Sequence, residues 1–536
     1  MQLKKLGKGC DSLSEIELII ADRLSISQVH VEKALEKTTS DEQQDTTSSS
    51  RGQANEELTG EPLARREVVE ETWRADRSGF APGASLHSSY DLITRYETEI
   101  VVKERRIRVE TVTDLYSGKS VRADLSSLGP ERSKITWASI ALLICLAIEA
   151  AMPFDRLRKV LFSAFGIFST SSICRYFQAA AQKLVHVYLW LITELAHNAL
   201  ILAGDDSSTR CIEMEIKATR GLQDGYDGLD PLVKLVAEKL GRSFSYKNDP
   251  KKPKGGIFVS HVHGRTVPAD PRSTIYIYRT HYGHYGNLLS RMLAIRPASA
   301  PKVIIQGDLS PSNFPEPLLM VRWISRFIGC ASHARRPFKR YEEDDPQFTD
   351  RMLELFTLIS AAERSIFASP RQAAEIVRLR LLLEKPVWEE IRELALSVID
   401  AEKRKSAQNR LHQLWPKKSP LYKGCSYIVR HFPELTAYLE DPRLESSNNR
   451  AERLLRAEKM LLVSAKFRKS EVGRVSLDIL RSLIMTAKAA EASPKAYLSW
   501  VLAQPEKDIE KNPQDYTPLA YRRRINSASS SQATGS

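Results

Sequence analysis

The pattern of apolar and polar positions divides the chain into a mixed central part and helical flanks. Four short runs rich in β-branched residues predict strands: 199–202 (ALIL), 257–260 (IFVS), 274–278 (TIYIY) and 303–305 (VII). Apolar residues at three- and four-residue spacing predict helices over most of 135–195 and 350–502. Strands bracketed by long helical stretches predict a protein of mixed α/β (α+β) class.

The two ends of the chain follow other patterns. Residues 13–35 have helical spacing, and the polar stretch 38–61 predicts a disordered linker because it has too few apolar groups to offset the entropy of ordering. Alternation at 98–102 and 107–112 predicts a small strand-rich element. The end of the chain, with three consecutive arginines at 522–524, predicts a basic, flexible tail. These patterns divide the chain at the following boundaries: 1–61, 62–130, 131–197, 198–340, 341–440, 441–505 and 506–536.

The amino-acid composition of the chain indicates which kinds of partner and binding site to expect. The 536 residues include 79 Lys and Arg against 66 Asp and Glu, a net charge of +13 that favours polyanionic partners, nucleic acid before anionic membranes. The longest apolar run, 140–148, is about half the length of a membrane-spanning helix, and no apolar signal core follows the basic amino end. The six cysteines are scattered without a Cys-x-x-Cys pair, which disfavours disulfides and zinc. We expect a cytoplasmic, nucleic-acid-binding protein with no membrane partner.

Two of the predicted strands run into the same dipeptide. The run at 199–202 leads into Gly204-Asp205, and the run at 303–305 leads into Gly307-Asp308. Two such strands side by side bring two carboxylates together, an arrangement that is costly unless a divalent cation is bound. Each Asp alone also fits an ordinary loop or helix-capping residue.

A third carboxylate comes from the segment SNNRAERLLR at 447–456. On a helix, Asn448, Glu452 and Arg456 lie on one polar face, and Ser447 or Asn448 caps its start. A solvated helix whose Glu pairs with Arg has the same pattern. Residues 154–183 have the outline of a helix-turn-helix or of a plain helical hairpin, with Arg156, Lys159, Ser172 and Arg175 as the candidate DNA contacts.

The order Asp205, Asp308, Glu452 resembles the DDE site of transposases with a ribonuclease-H-like core. More narrowly, residues 130–505 resemble the insertion sequence 66 family, whose motifs appear here as Asp205-Asp206-Ser207, Gly307-Asp308, CASHARRPF at 330–338 and SNNRAERLLR at 447–456. The chain departs from the family pattern at Asp206, Ala331 and Ser447, and it has no cysteine-rich zinc element.

The resemblance implies a ribonuclease-H-like mixed-sheet core, a helical DNA-binding region before it and a long helical insertion between Asp308 and Glu452. It implies DNA cleavage and strand transfer with two Mg²⁺ or Mn²⁺ ions held by Asp205, Asp308 and Glu452. The resemblance also implies that seven residues contact DNA phosphates: His333, Arg335, Arg336, Asn448, Asn449, Arg453 and Arg456. Instead of contacting phosphate, the basic tract at 335–340 could pair with the acidic run at 342–345. His333 is also a candidate for the acid or base in the reaction.

The implied partners are the terminal inverted repeats of a bacterial mobile element, target DNA, a second copy of the chain on paired ends, and small accessory proteins. A nucleoid-associated location follows from these partners. Two other functions fit the same residues. One is a ribonuclease-H-like nuclease without strand transfer, and the other is an inactive, DNA-binding remnant of a transposase.

Overall fold

The computed structural model describes most of the chain from residue 106 onward: 106–117, 119–130, 133–162, 169–219, 229–240, 256–343, 345–408, 419–465 and 468–533. The predicted helix at 13–35, the linker at 38–61 and the strand at 98–102 lie outside these residues. Of the predicted strand-rich element, a small exposed hairpin is described, β1 (Thr111–Thr113) with β2 (Ser120–Arg122).

The main sheet has five strands: β3 (Ile201–Thr209), β4 (Ile257–Arg265), β5 (Thr274–His281), β6 (Val303–Gln306) and β7 (Ile324–Ile328). Their order across the sheet is β5-β4-β3-β6-β7. Within this sheet, β4 pairs antiparallel with both β3 and β5, and β6 and β7 run parallel to β3. The four predicted strands are thus confirmed, β7 was missed, and the mixed sheet is consistent with a ribonuclease-H-like core.

Helices surround this sheet. The first group is α1 (Trp137–Glu149), α2 (Phe154–Phe162), α3 (Thr170–Asn198), α4 (Ile212–Thr219), α5 (Pro231–Leu240), α6 (Tyr285–Ala294) and α7 (Pro317–Trp323). The second is α8 (Ala331–Arg340), α9 (Pro346–Ile366), α10 (Ala373–Leu383), α11 (Lys385–Gln408), α12 (Pro420–Arg430) and α13 (Phe432–Thr436). The last is α14 (Asn449–Ala465), α15 (Glu471–Ala489), α16 (Pro494–Leu502), α17 (Glu506–Lys511) and α18 (Pro518–Ala533). No helix in the described part of the chain is both long and apolar enough to cross a membrane.

Two hydrophobic cores organise these helices. In the first, α1, α3, α5, α6, α15 and α16 pack with the inner residues of the sheet, so the predicted boundary between 197 and 198 does not separate two cores. In the second, α8, α9, α11, α12 and α13 pack around Trp388 and Phe356. This second core is the expected helical insertion between Asp308 and Glu452, and it already includes α8.

The predicted flexible tail is wrong for most of its length. Residues 506–533 form α17, a short 3₁₀ turn and α18. Ile509 and Tyr521 are buried in the first core, and the guanidinium of Arg524 lies 5.8 Å from the ring centre of Trp500. Widely spaced apolar residues in a polar segment were enough to dock it, a signal that average composition hides.

The helix α15 covers the open edge of the sheet. The edge strand β5 presents unpaired backbone N–H groups, which are costly to bury. Side chains four residues apart on α15 accept hydrogen bonds from them: Asp478 from Thr280, Ser482 from Tyr278 and Thr486 from Tyr276, at 2.6, 2.9 and 3.1 Å. The edge is therefore closed by a helix rather than by another strand.

Candidate active site

Asp205 lies in the middle of β3. The prediction that the strand ends at Gly204-Asp205 is wrong, because β3 continues to Thr209 through antiparallel pairing with β4. Gly204 is required by close packing: a Cβ there would lie 2.2 Å from the carbonyl oxygen of His261 and 2.3 Å from the ring of Tyr285. The tight packing on both sides of Gly204 holds the backbone of Asp205 in place.

Asp308 follows β6 directly, as predicted. Ala203 of β3 pairs with Gln306 of β6 in parallel register, and each catalytic candidate lies two residues beyond this pair. Asp205 and Asp308 thus lie towards the same end of two neighbouring strands, and the charge of Asp308 contributes to the raised pKa of Asp205. The pairing of β3 with β6 therefore brings together two carboxylates that are far apart in the sequence.

Glu452 lies in the first turn of α14, which begins at Asn449. The residue before the helix, Asn448, is only 3% exposed. Its side-chain amide donates to the carbonyl of Gly204 at 3.0 Å, and its backbone N–H donates to Sγ of Cys330 at 3.0 Å. The buried amide does not suit the predicted DNA contact. Asn448 instead ties the start of the helix to the strand that carries Asp205.

His333 on α8 lies between two of the carboxylates. Its Nε2 is 3.5 Å from Oδ2 of Asp308 and 3.6 Å from Oε1 of Glu452, and its side chain is 12% exposed. Burial lowers the pKa of His333, although the charge of Asp308 opposes the shift. Arg336, one turn along α8, donates to Oε1 of Glu452 at 3.5 Å. The tract HARR thus contacts the acidic site itself.

The electrostatics of the site centre on Asp205. Burial, together with the charges of Asp206, Glu452 and Asp308, raises the pKa of Asp205 to about 7. A hydrogen bond from the backbone N–H of Asp206, at 2.8 Å, offsets part of this shift. Asp308 and Glu452 are therefore close enough to Asp205 to affect its ionisation. Bringing them together costs free energy that a cation would recover.

Oxygen ligands of this kind suit Mg²⁺ or Mn²⁺ rather than zinc. Within the described ranges, however, no three His, Cys, Asp or Glu side chains are already arranged to hold a metal ion. The Nε2 atom of His333 lies 3.5 Å from Asp308 and 3.6 Å from Glu452, longer than an optimal hydrogen bond to either carboxylate. The donor set fits a divalent cation in chemistry, without a preformed cage.

The raised pKa of Asp205 predicts an unusual pH dependence. Without metal, the folded protein binds a proton at Asp205 up to about pH 7, whereas the unfolded chain releases it near its ordinary value of 3.8. Stability should therefore fall as pH rises from about 4 to about 7, and Asp205→Asn should remove this loss. We expect the variant to be more stable at pH 8 by at most a few kcal/mol, with no gain at pH 4, in urea unfolding monitored by circular dichroism. A difference between variant and wild type that is the same at pH 4 and pH 8 would contradict the interpretation that ionised Asp205 is destabilised by its surroundings.

Two residues beside Asp205 were not singled out for a role by sequence reasoning. Asp206 accepts hydrogen bonds from the backbone of Tyr285 at 2.9 Å and contacts Nδ1 of His284 at 3.0 Å, so it anchors the start of α6. His261 pairs with Asp205 across β3 and β4 and is fully buried, with no partner for either ring nitrogen in the described structure. Burial lowers its pKa to about 3, so it is neutral. The doubled Asp and the His-x-His of β4 were the available signals.

The remaining predicted DNA contacts are divided between two faces. On α14, Asn449, Arg453 and Arg456 are exposed, next to Glu452. On α8, Arg336 is exposed and Arg335 is half-buried. All five side chains are at least partly accessible to solvent, and Arg336 also contacts Glu452.

The predicted helix-turn-helix has a different form. Arg156, Lys159 and Arg175 are exposed and Ser172 is half-buried, but α3 is 29 residues long and its later turns are buried in the first core. Lys159 is paired with Asp155 at 2.7 Å. The second helix of this unit therefore also belongs to the first hydrophobic core.

Comparison with known proteins bears on the second half of the site. Over 179 residues, 33% of the chain, the sequence is 28% identical to the uncharacterized protein y4jD of Sinorhizobium fredii (strain NBRC 101917 / NGR234). The aligned part spans about a third (32%) of that relative. No solved structure matches the chain significantly. Residues 323–474, which contain His333 and Glu452, match the DDE domain model of the transposase IS66 family, as their motifs predicted.

Proposed function

We propose that this protein is a DDE transposase that cuts DNA at the ends of an insertion sequence and joins those ends to target DNA. The observation that carries the proposal is the convergence of Asp205, Asp308 and Glu452 from two adjacent strands and a helix, where the charges of the latter two raise the pKa of Asp205. The family match over 323–474 supports the same function for the part that holds Glu452.

Asp205, Asp308 and Glu452 would hold the metal ions. When bound, two Mg²⁺ or Mn²⁺ ions activate the attacking oxygen and neutralise the leaving oxygen of an in-line displacement at phosphorus. Asp205, whose ionisation responds to the charges of both other carboxylates, is the one suited to be shared. His333 orients Asp308 and Glu452 through its Nε2, and Asn448 fixes the distance between α14 and β3.

DNA binds across the exposed faces of α8 and α14. Arg336, Arg453 and Arg456 contact phosphates there, with Arg335 and Asn449 beside them. The net charge of +13 supports this polyanionic partner. The DNA comprises the element's terminal repeats and the target, bound by at least two copies of the chain, and small accessory proteins encoded by the same element assist.

The test is a strand-transfer assay on DNA that carries the element's own ends, with Mg²⁺ or Mn²⁺. Joined products that require the metal support the transposase. Nicking without joining favours a nuclease limited to hydrolysis. Binding without chemistry in either metal overturns the enzymatic function and leaves a DNA-binding remnant.

The basic face of α14 predicts a defined salt dependence. Replacing Arg453 and Arg456 together by alanine should weaken DNA binding and reduce the slope of log K against log salt by roughly one for each arginine, since each neutralised phosphate releases about one counterion. Fluorescence anisotropy with labelled duplex between 50 and 200 mM salt, roughly the range in which such contacts are lost, measures both effects. Arg364→Ala, on the outside of α9, is the matched control. An unchanged slope in the double variant would place the DNA elsewhere.

A further inference from the structure

A cleft lies beside the DDE carboxylates, between the start of α14 and the sheet. Its volume is about 100 Å³, and its floor is formed by Ala203 of β3 and His263 of β4. These two residues pair with each other, and the next rung of the same ladder on this face pairs Asp205 with His261. At about 3.4 Å per residue, the floor of the cleft lies about 7 Å along β3 from Asp205.

The side chain of His263 is unsatisfied at this floor. It is 8% exposed, and its Nδ1 has no hydrogen-bond partner in the described structure. Its ring stacks on Tyr276 with centres 5.0 Å apart and planes 17° apart, which fixes its orientation. A buried nitrogen without a partner is rare in proteins, and the ring that carries it lines the cleft. It marks a position for a polar group of a ligand.

The walls of the cleft are apolar, and its rim holds more basic than acidic groups: Arg265, Arg443 and Arg450 against Glu445, which pairs with Arg450 at 3.6 Å. Leu200, Ile201 and Ala451 supply aliphatic surface, whereas Arg265 and Arg450 supply positive charge. Arg450 is held by the hydroxyl of Tyr276 at 2.9 Å, and Arg265 is exposed at the end of β4. Aliphatic walls with one polar group on the floor suit the flat face and edge of a base, and a basic rim suits a phosphate.

We infer that this cleft binds one unpaired nucleotide of the DNA strand next to the phosphate held at Asp205. The inference rests on the proposed function, because it takes the cleft's occupant from the same DNA strand. At about 100 Å³ the cleft is sized for one base rather than for a base pair, so the nucleotide must leave the duplex. The cost of unpairing is smallest at an end that is already unpaired. The cleft would therefore favour element ends with an unpaired terminal nucleotide over blunt ends.

The test is a metal-free binding measurement with the full chain. Two duplexes of the same sequence are compared, one blunt and one with an unpaired 2-aminopurine at its end, whose fluorescence reports on its surroundings. We expect the wild-type protein to bind the unpaired end on the order of tenfold more tightly, as expected for one stacked base. Ala203→Leu, which fills the floor, and Arg265→Ala, which removes charge from the rim, should abolish the preference and the fluorescence change while leaving binding of the blunt duplex unchanged.

Arg326→Ala is the control, because Arg326 is exposed on β7 at the far edge of the sheet and pairs with Glu440. It should retain the preference. Equal binding of both duplexes by the wild-type protein would overturn the inference, and so would an unchanged preference in Arg265→Ala. Equal competition by free deoxyadenosine monophosphate would also overturn it, since it would identify a site for small nucleotides. The strand-transfer assay remains independent, so failure of the cleft and failure of the proposed function are separable.

Discussion

Glu452→Gln is expected to abolish strand transfer, with a loss of at least about 100-fold, while leaving the fold and DNA binding intact. The substitution keeps the size of the side chain and its contact with His333 and Arg336, but it removes the negative charge that a divalent cation requires. The decisive measurement is the amount of joined product in a time course with Mg²⁺, set against binding of the same DNA without metal.

The matched control is Glu440→Gln, because Glu440 is an exposed glutamate whose ion pair with Arg326 spans 3.3 Å on the surface. This variant should join DNA at the wild-type rate. The mechanism would be refuted if Glu452→Gln retained joining while Asp205→Asn lost it, since Glu452 would then have no part in metal binding. Equal loss in all three DDE variants, with unchanged DNA affinity, is the expected pattern.

Glu458→Gln is expected to destabilise the protein by about 3–5 kcal/mol, because it removes the carboxylate that two buried arginines share. Glu458 lies on α14 at 2% exposure and contacts Arg474 at 2.7 Å and Arg481 at 2.8 Å. It also accepts a hydrogen bond from Thr209 at the end of β3, at 3.0 Å. These contacts hold the helix of Glu452 against the strand of Asp205. Urea unfolding at pH 7 measures the loss.

The pH dependence separates this cause from a general packing defect. Burial opposes the ionisation of Glu458, but the charges of Arg474 and Arg481 outweigh it and lower the pKa to about 2. The stabilisation is therefore complete above the ordinary value of 4.5 and is lost as pH falls from 4.5 towards 2. The difference between wild type and variant should shrink over this range. Glu510→Gln, at an exposed position of α17, should change stability by less than about 0.5 kcal/mol. A loss similar to that of Glu458→Gln would contradict the buried network as the cause.

Much of the local structure follows from local patterns. The β-branched runs at 257–260, 274–278 and 303–305 became β4, β5 and β6, and the helical spacing over 350–502 became α9 to α16. These predictions succeeded because an element that buries one face must repeat its apolar residues with its own period. The motif SNNRAERLLR also placed Glu452 on a helix for the same reason.

Other features depended on partners far away in the sequence. The strand β7 is buried only at its two ends and has a basic residue in its middle, so its pattern does not predict a strand. It forms because β6 offers a free edge. The polar residues Asp478, Ser482 and Thr486 lie on the buried face of α15. Only the position of β5, whose backbone donates to them, explains why they are there. The sequence pattern predicts Asn448 on a polar helix face, whereas its side-chain amide is buried and donates to the carbonyl of Gly204.

The sequence by itself determined the class of fold, the basic charge, the order of the three carboxylates and the helix that bears the third. The tertiary structure alone decided that Asp205 lies within its strand, that His333 lies between Asp308 and Glu452, and that a cleft opens beside them. The physical reason is that periodicity records which face of an element is buried, whereas register and helix docking record what that face is buried against. A catalytic site depends on the second kind of information, because its residues come from elements that meet only when the sheet and α14 have packed together.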